Sequence, residues 1–227
     1  MIDAVLFDLD GTLADTAPDM ARTVNEMRIR RGLAPVPVAT VRPHVSRGAR
    51  GMLLAAFEIT SEHPDYEAMR EEFLELYGDN LSVDTRLFPE MAELLDALEA
   101  DGISWGVVTN KFERFAVPVM EGLGLGLRAR TIVGGDTCAR PKPFPDPLLH
   151  AAGQMGIAPA NIVYVGDDER DVQAARAAGM PALVAGYGYI GDGPPPILWG
   201  AEAIMDSPAK ILDWIREREA PRPGARR

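Results

Sequence analysis

"VLFDLDGTLADT", residues 5–16, decides how the rest of the chain is read. It sets two carboxylates, Asp8 and Asp10, one residue apart at the end of an apolar run. The run Ala4-Val5-Leu6-Phe7 has the continuous hydrophobicity of a strand covered on both faces. Gly11 and Thr12 follow at once, so the strand ends there in a turn. At strand spacing Asp8 and Asp10 lean to the same side, where two like charges repel. Something positive has to stand opposite them.

Outward from this stretch, short β-rich runs alternate with helical patterns. The runs are Ala4 to Phe7, Ser104 to Val108, Thr131 to Val133, Ile162 to Val165 and Ala182 to Ala185, with Ala203 to Met205 as a short edge strand. Met91, Leu94, Leu95 and Leu98 repeat at helical spacing before an Asp101-Gly102 stop, and "DDERDVQAARAAG" reads as a helix closed by Gly179. This alternation predicts an α/β fold, a Rossmann-like parallel sheet with helices on both faces. One connection breaks the rhythm. About 95 residues separate the first two strands, where a single crossover takes about 15–30. The excess carries its own stripes, Met20/Val24/Met27 and Met69/Phe73/Leu76/Tyr77, so it reads as an inserted α-helical subdomain. The expected division is a core of residues 1–14 and 86–220, a helical cap of residues 15–85, and a flexible, charged and Pro-rich tail of residues 221–227.

Composition narrows the function. A chain of 227 residues with 47% apolar side chains can bury a full core. Its net charge of −11 argues against nucleic acid, because phosphate backbones attract clustered Lys and Arg. No run of eighteen apolar residues offers a membrane span, and Asp3 and Asp8 interrupt any signal-peptide pattern. The single cysteine, Cys138, forms no internal disulfide and suits the reducing cytoplasm as a structural thiol.

In parallel α/β sheets, ligands bind beyond the carboxyl ends of the strands. Those ends carry Asp8-Leu9-Asp10-Gly11-Thr12, then Thr109-Asn110-Lys111, then "ARPKPFPDP" with Lys142, then Gly166-Asp167-Asp168 with Asp171 one turn later. The acids suit a hard cation held by oxygen, and the threonine and lysine suit phosphate. Asp8, Asp10 and Asp167 are thus expected to hold Mg2+, which answers the repulsion and admits an anionic substrate. Asp8 is then placed to attack phosphorus, and Asp10 to protonate the leaving oxygen and later deprotonate water.

"DLDGTLADT", "VVTNK", "RPKPFPDP" and "VGDDERD" resemble, in order, the four motifs of the haloacid dehalogenase-like phosphatases. The resemblance covers nearly the whole chain. It implies that Asp8 is the nucleophile and Asp10 the acid/base, which also lends its backbone carbonyl to Mg2+. Thr109 and Asn110 become the phosphate-binding pair, Lys142 the cation balancing nucleophile and phosphate, Asp167 a metal ligand and Asp171 its support. Asp168 stands where many relatives carry serine or another polar residue. The insert resembles the cap of the phosphoglycolate phosphatase-like branch. Within it "SRGARG", residues 46–51, precedes an apolar helical run, and Arg47 and Arg50 beside a helix start make a plausible anion site.

The resulting expectation is a Mg2+-dependent phosphomonoesterase of phosphoglycolate phosphatase type, acting on a small-molecule phosphate ester that bears a carboxylate. An alternative comes from "SWGVVTNKFERF" and "YGYIGDGPPPILWGAEAIMDSP", which look closer to the branch acting on N-acetylmuramic acid 6-phosphate in cell-wall recycling. A phosphomutase ranks lower, since "ADTAPDM" lacks the histidine common in such linkers. So does a metal-free dehalogenase, given the acid-rich fourth motif, and so does a binding module, since no motif residue is lost. "GYGYIG", residues 186–191, has the spacing of a dinucleotide fingerprint but precedes Asp192-Gly193 and three prolines instead of a helix. "DLDG" fails as a calcium loop because Asp19 stands where the twelfth-position Glu belongs, and His44, His63 and His150 lie too far apart for zinc. Oligomeric state does not follow from these residues.

Overall fold

The computed structural model describes residues 1–219, so the expected tail of residues 221–227 lies outside the described residues. In chain order the elements are β1 (Ala4–Phe7), β2 (Ala14–Asp15), α1 (Ala17–Arg30), α2 (Val38–Val41), α3 (Gly48–Phe57), α4 (Tyr66–Asp79), β3 (Arg86–Leu87), α5 (Met91–Ala100), β4 (Ser104–Val108), α6 (Glu113–Gly122), β5 (Ile132–Val133), α7 (Asp146–Met155), β6 (Ile162–Gly166), α8 (Glu169–Ala178), β7 (Ala182–Ala185), β8 (Ala203–Met205) and α9 (Ala209–Glu219). A short 3-10 turn, Arg42–Arg47, leads into α3.

The sheet runs β5-β4-β1-β6-β7-β8 with every neighbouring pair parallel. Strand β1 therefore lies inside the sheet, with β4 on one side and β6 on the other. Its four residues are all fully buried, which is why this segment shows no alternation. Val5 and Phe7 face a core built with α5, α6 and α9, while Ala4 and Leu6 face α7 and α8. Helix α5 buries Met91, Leu94, Leu95 and Leu98 as its spacing predicts. Helix α8 opens on Asp168, whose carboxylate accepts from the Arg170 N–H at 2.9 Å, and it ends on Gly179 at φ 75°, a left-handed conformation natural to glycine.

Helices α1–α4 pack around a core of their own, in which Met20, Val24, Met27, Met69, Phe73 and Tyr77 are buried. Leu76, expected in the same stripe, only packs at its edge. Met69, Phe73 and Tyr77 already form an i, i+4 row, and Leu76 falls beside that row. The helices hang from the sheet on a ribbon not expected from the sequence, in which β2 pairs antiparallel with β3, Ala14 opposite Leu87 and Asp15 opposite Arg86. Asp19, fully buried in the first turn of α1, accepts from the N–H groups of Asp84 (2.8 Å) and Thr85 (3.0 Å) and from the Thr85 hydroxyl (2.6 Å). It thereby clips the outgoing chain to the returning one. No helix among the described residues is long and apolar enough to cross a membrane.

Candidate active site

The carboxyl ends of β1, β4 and β6 bring the sequence-predicted residues to one rim. Beyond β1 the chain turns at Gly11, whose φ is 83°. A Cβ there would lie 2.1 Å from an Asp167 carboxylate oxygen, so the position requires glycine. Asp8 and Asp10 are both 8% exposed, and Thr12, Thr109, Asp167 and Asp171 are buried with them. Thr12 donates its hydroxyl to Asp167 at 3.3 Å.

Lys142 is the positive group opposite Asp8. Its ammonium sits 3.0 Å from Asp8 Oδ1 and 2.7 Å from Asp171 Oδ1, and it donates to the Val108 carbonyl (3.1 Å) and the Tyr164 hydroxyl (2.7 Å). Burial works against this ammonium, but Asp171 and Asp8 outweigh it and raise its pKa. Asn110, expected to bind phosphate, commits its side-chain amide to the Lys142 backbone. It donates to the Lys142 carbonyl at 2.9 Å and accepts from the Lys142 N–H at 3.0 Å. The side chain is a clamp on the lysine loop. The Thr109 Oγ1 accepts from the Lys111 N–H at 3.2 Å.

The carboxylates that converge differ from the expected set. Asp8, Asp167 and Asp171 each offer an oxygen within 4.8 Å of the others. The Asp10 carboxylate is not part of this cluster; its Oδ1 accepts from the Thr16 hydroxyl and pairs with Lys111 at 2.9 Å. Of the three buried acids that converge, Asp8 and Asp171 share Lys142, and Asp167 has no cationic partner among the described residues. Burial pushes Asp8 up to about 6, with Asp171 and Asp10 adding to it and Lys142 opposing. Burial, with Asp8 and Asp171 beside it, drives Asp167 well above the usual carboxylate range. An all-oxygen cluster carrying surplus negative charge is the donor set a hard divalent cation takes, so these residues fit Mg2+.

Lys111 was read only as a strand-end residue. Its side chain is 4% exposed, and its ammonium donates to the Tyr77 hydroxyl of α4 at 3.0 Å while pairing with Asp10. A buried lysine joining helical insert and sheet has no local sequence signature. Asp168, besides opening α8, pairs with Arg170 at 2.8 Å, and Arg170 donates to the Ser46 carbonyl of the insert at 2.7 Å. Burial opposes the Asp168 charge, yet the Arg170 bond prevails and lowers its pKa.

Between insert and sheet lies a cavity of about 230 Å³. Arg47 and Arg50 both line it, together with Asp10, Asn110 and Lys111, so the two cap arginines and the sheet-end residues share one space. Arg70 and Arg170 complete five cations around it, in a chain whose net charge is −11. Tyr66, Phe73, Tyr77 and Phe115 form its aromatic wall.

The profile of the haloacid dehalogenase-like hydrolase family matches residues 2–179. The chain is 45% identical to the N-acetylmuramic acid 6-phosphate phosphatase of Pseudomonas aeruginosa, over 93% of this chain and 94% of that protein. It is 47% identical to the phosphoglycolate phosphatase of Xanthomonas campestris pv. campestris, over 92% and 95%. Its fold superposes on the crystal structure of a predicted phosphoglycolate phosphatase from Haemophilus somnus with TM-score 0.81 and 29% identity, over 94% and 98% of the two chains. With four ordered motifs at one rim and relatives that match end to end, the chain belongs to the haloacid dehalogenase-like hydrolases, as a phosphoric monoester hydrolase of the phosphoglycolate phosphatase-like branch.

Proposed function

We propose that the protein hydrolyses a small, carboxylate-bearing metabolite phosphate with Mg2+ and an aspartyl-phosphate intermediate, as a phosphoglycolate phosphatase-type enzyme of the cytoplasm. The observation that carries this reading is the cluster of Asp8, Asp167 and Asp171, with Lys142 paired to Asp8 and Asp171, at the same strand ends whose Asp10, Asn110 and Lys111 line a cavity ringed by cations. In this reading residues 1–14 and 86–220 are the catalytic core, and residues 15–85 the cap that closes over the leaving group.

Asp8 Oδ1 is held by the Leu9 N–H (2.7 Å) and by Lys142, which leaves Oδ2 as the attacking oxygen. Attack on phosphorus forms the Oδ2–P bond and breaks the ester P–O bond. Asp10 in its protonated form gives its proton to the departing alcohol oxygen. The carboxylate so formed, paired with Lys111, takes one from the water that releases inorganic phosphate and restores Asp8. Lys142 neutralises charge gathered on Asp8 and the phosphoryl oxygens, and Thr109 with the backbone of Asn110 holds those oxygens in place. Asp8, Asp167 and the Asp10 carbonyl would hold Mg2+, with Asp171 in support; the ion supplies charge neutralisation of the phosphate oxygens. Lys111 and the Arg47/Arg50 pair face the leaving group, where they suit a carboxylate.

A second substrate, N-acetylmuramic acid 6-phosphate, is favoured by one observation: the aromatic wall of the cavity offers a surface that a two-carbon acid would leave untouched. A panel containing phosphoglycolate, N-acetylmuramic acid 6-phosphate and p-nitrophenyl phosphate, assayed with Mg2+ and with EDTA, tests both points. Hydrolysis should require Mg2+, and the higher kcat/KM among the two acids names the substrate. Full turnover in EDTA would overturn the metal reading, and equal kcat/KM for all three esters would overturn carboxylate recognition.

A further inference from the structure

The loop "GYGYIG", which has the spacing of a nucleotide fingerprint, leads into no helix and instead lies across the base of the insert. Its second tyrosine is 3% exposed and touches both the acidic cluster and the hinge. The Tyr189 N–H donates to Asp167 Oδ2 at 2.8 Å. At the far end of the same residue, the hydroxyl donates to Asp15 Oδ1 and accepts from the Ala17 N–H at 3.0 Å. Asp15 belongs to the hinge ribbon and Ala17 begins α1. The strap continues into the insert, since Arg42 grips both Asp15 oxygens at 2.9 Å and lies over the Tyr189 ring, 5.4 Å from its centroid.

The fit leaves little room for slippage. A Cβ on Gly188 would meet the Gly11 carbonyl at 2.1 Å and Asp167 Cβ at 2.6 Å, and one on Gly11 would meet the Tyr189 ring at 2.6 Å. Tyr187 adds a second tie, donating its hydroxyl to the Thr12 carbonyl at 3.2 Å, and both tyrosine rings pack against Phe88, just after the returning hinge strand. The backbone donor that bonds Asp167 and the side chain that holds the hinge therefore belong to one closely packed residue.

We propose that Tyr189 is a positioning residue that ties the Asp167 carboxylate to the cap hinge, so that the hinge geometry sets the affinity of the acidic cluster for its divalent cation. The inference rests on the metal reading above and gives the cap a second task besides enclosing the leaving group. By linkage it runs both ways: a bound cation stiffens the hinge, and a loosened hinge weakens the cation. A cap held in place favours metal binding before substrate arrives.

The test is calorimetric titration of Mg2+ into unliganded wild type, Tyr189→Phe, Arg42→Gln and the double variant. Tyr189→Phe keeps the ring and the backbone donor and deletes the hydroxyl, whose two hydrogen bonds are each worth a factor of roughly 2–10. The expected result is a dissociation constant raised about five- to tenfold in Tyr189→Phe and about threefold or more in Arg42→Gln. The double variant should be no weaker than the worse single, because both cut the same strap. Amide exchange at Ala17 in wild type should also slow several-fold when Mg2+ is added. Unchanged affinities accompanied only by a lower Tm would reduce Tyr189 to a structural role and overturn the proposal, as would multiplicative effects in the double variant or an Ala17 amide indifferent to Mg2+. Failure of wild type to bind Mg2+ at all would sink the metal reading itself, which separates the two.

Discussion

Replacing Asp8, the proposed nucleophile, by its amide should stabilise the metal-free protein while removing its activity. Asp8 is buried beside Asp167 and Asp171 with one lysine among the three, and its pKa stands at about 6 against an ordinary 3.8. Between those two values the folded protein holds a proton that the unfolded chain has released. Stability of the metal-free protein therefore falls as pH rises from about 4 to 6, and the loss is complete above that window. At about 1.4 kcal/mol per tenfold, the ionised carboxylate is a burden of about 3 kcal/mol at neutral pH. The amide of the Asp8→Asn variant cannot ionise, yet its oxygen can still accept from the Leu9 N–H and from Lys142, and its new N–H groups face acids. Allowing for imperfect refitting, Asp8→Asn should gain about 2 kcal/mol in EDTA at pH 7.5, a Tm rise of about 4–8 °C for a chain of this size. The gain should shrink below pH 6 and vanish below about 4. Added Mg2+ should raise the Tm of wild type more than that of the variant. Thermal melts in EDTA from pH 4 to 8 read all of this. A variant that melts at or below wild type at pH 7.5 would refute the account of a negatively overloaded site.

Lys142→Met should lose turnover by orders of magnitude and also stability, about 3–5 kcal/mol, since Asp8 and Asp171 lose their shared buried partner; kcat and denaturant melts check both. Gly11→Ala should abolish Mg2+-dependent turnover with a fold retained by circular dichroism, because a Cβ at φ 83° drives into Asp167. Arg47→Ala and Arg50→Ala should each lower kcat/KM for the carboxylated substrate about ten- to a hundredfold while barely changing hydrolysis of p-nitrophenyl phosphate. Equal losses on both esters would move these arginines from specificity to phosphate binding or cap stability.

The sheet was legible because its signals are local. Ala4–Phe7, Ser104–Val108, Ala182–Ala185 and Ala203–Met205 stand as strands where apolar runs predict them, and the third run only sheds Thr131 at its start. The rim residues followed from a general rule about strand ends. What the sequence concealed is made across distance. A ribbon of two-residue strands has no period to detect. The clip made by Asp19 depends on Asp84 and Thr85 returning beside it, and the burial of Lys111 depends on Tyr77 arriving from another subdomain. Asn110 looked like a ligand for phosphate because its amide partner, the Lys142 backbone, lies 32 residues on. Asp10 and Asp171 exchanged places in the carboxylate cluster for a similar reason: the turn at Gly11 swings one acid toward Lys111, and the first turn of α8 delivers the other to Lys142.

The doorway through which the chain leaves and re-enters the sheet has a consequence for how such enzymes diversify. Ala14 faces Leu87 and Asp15 faces Arg86, so from the sheet's side everything between them is a single excursion starting and ending at one point. Closing an excursion grows costlier only logarithmically with its length, by about 0.6 kcal/mol per doubling. By closure cost alone, the sheet is therefore nearly indifferent to the length of what is threaded through that doorway. New specificities can be acquired by exchanging the excursion wholesale, provided the incoming piece presents an acid like Asp19 to the returning strand and an aspartate like Asp15 to the tyrosine waiting beneath.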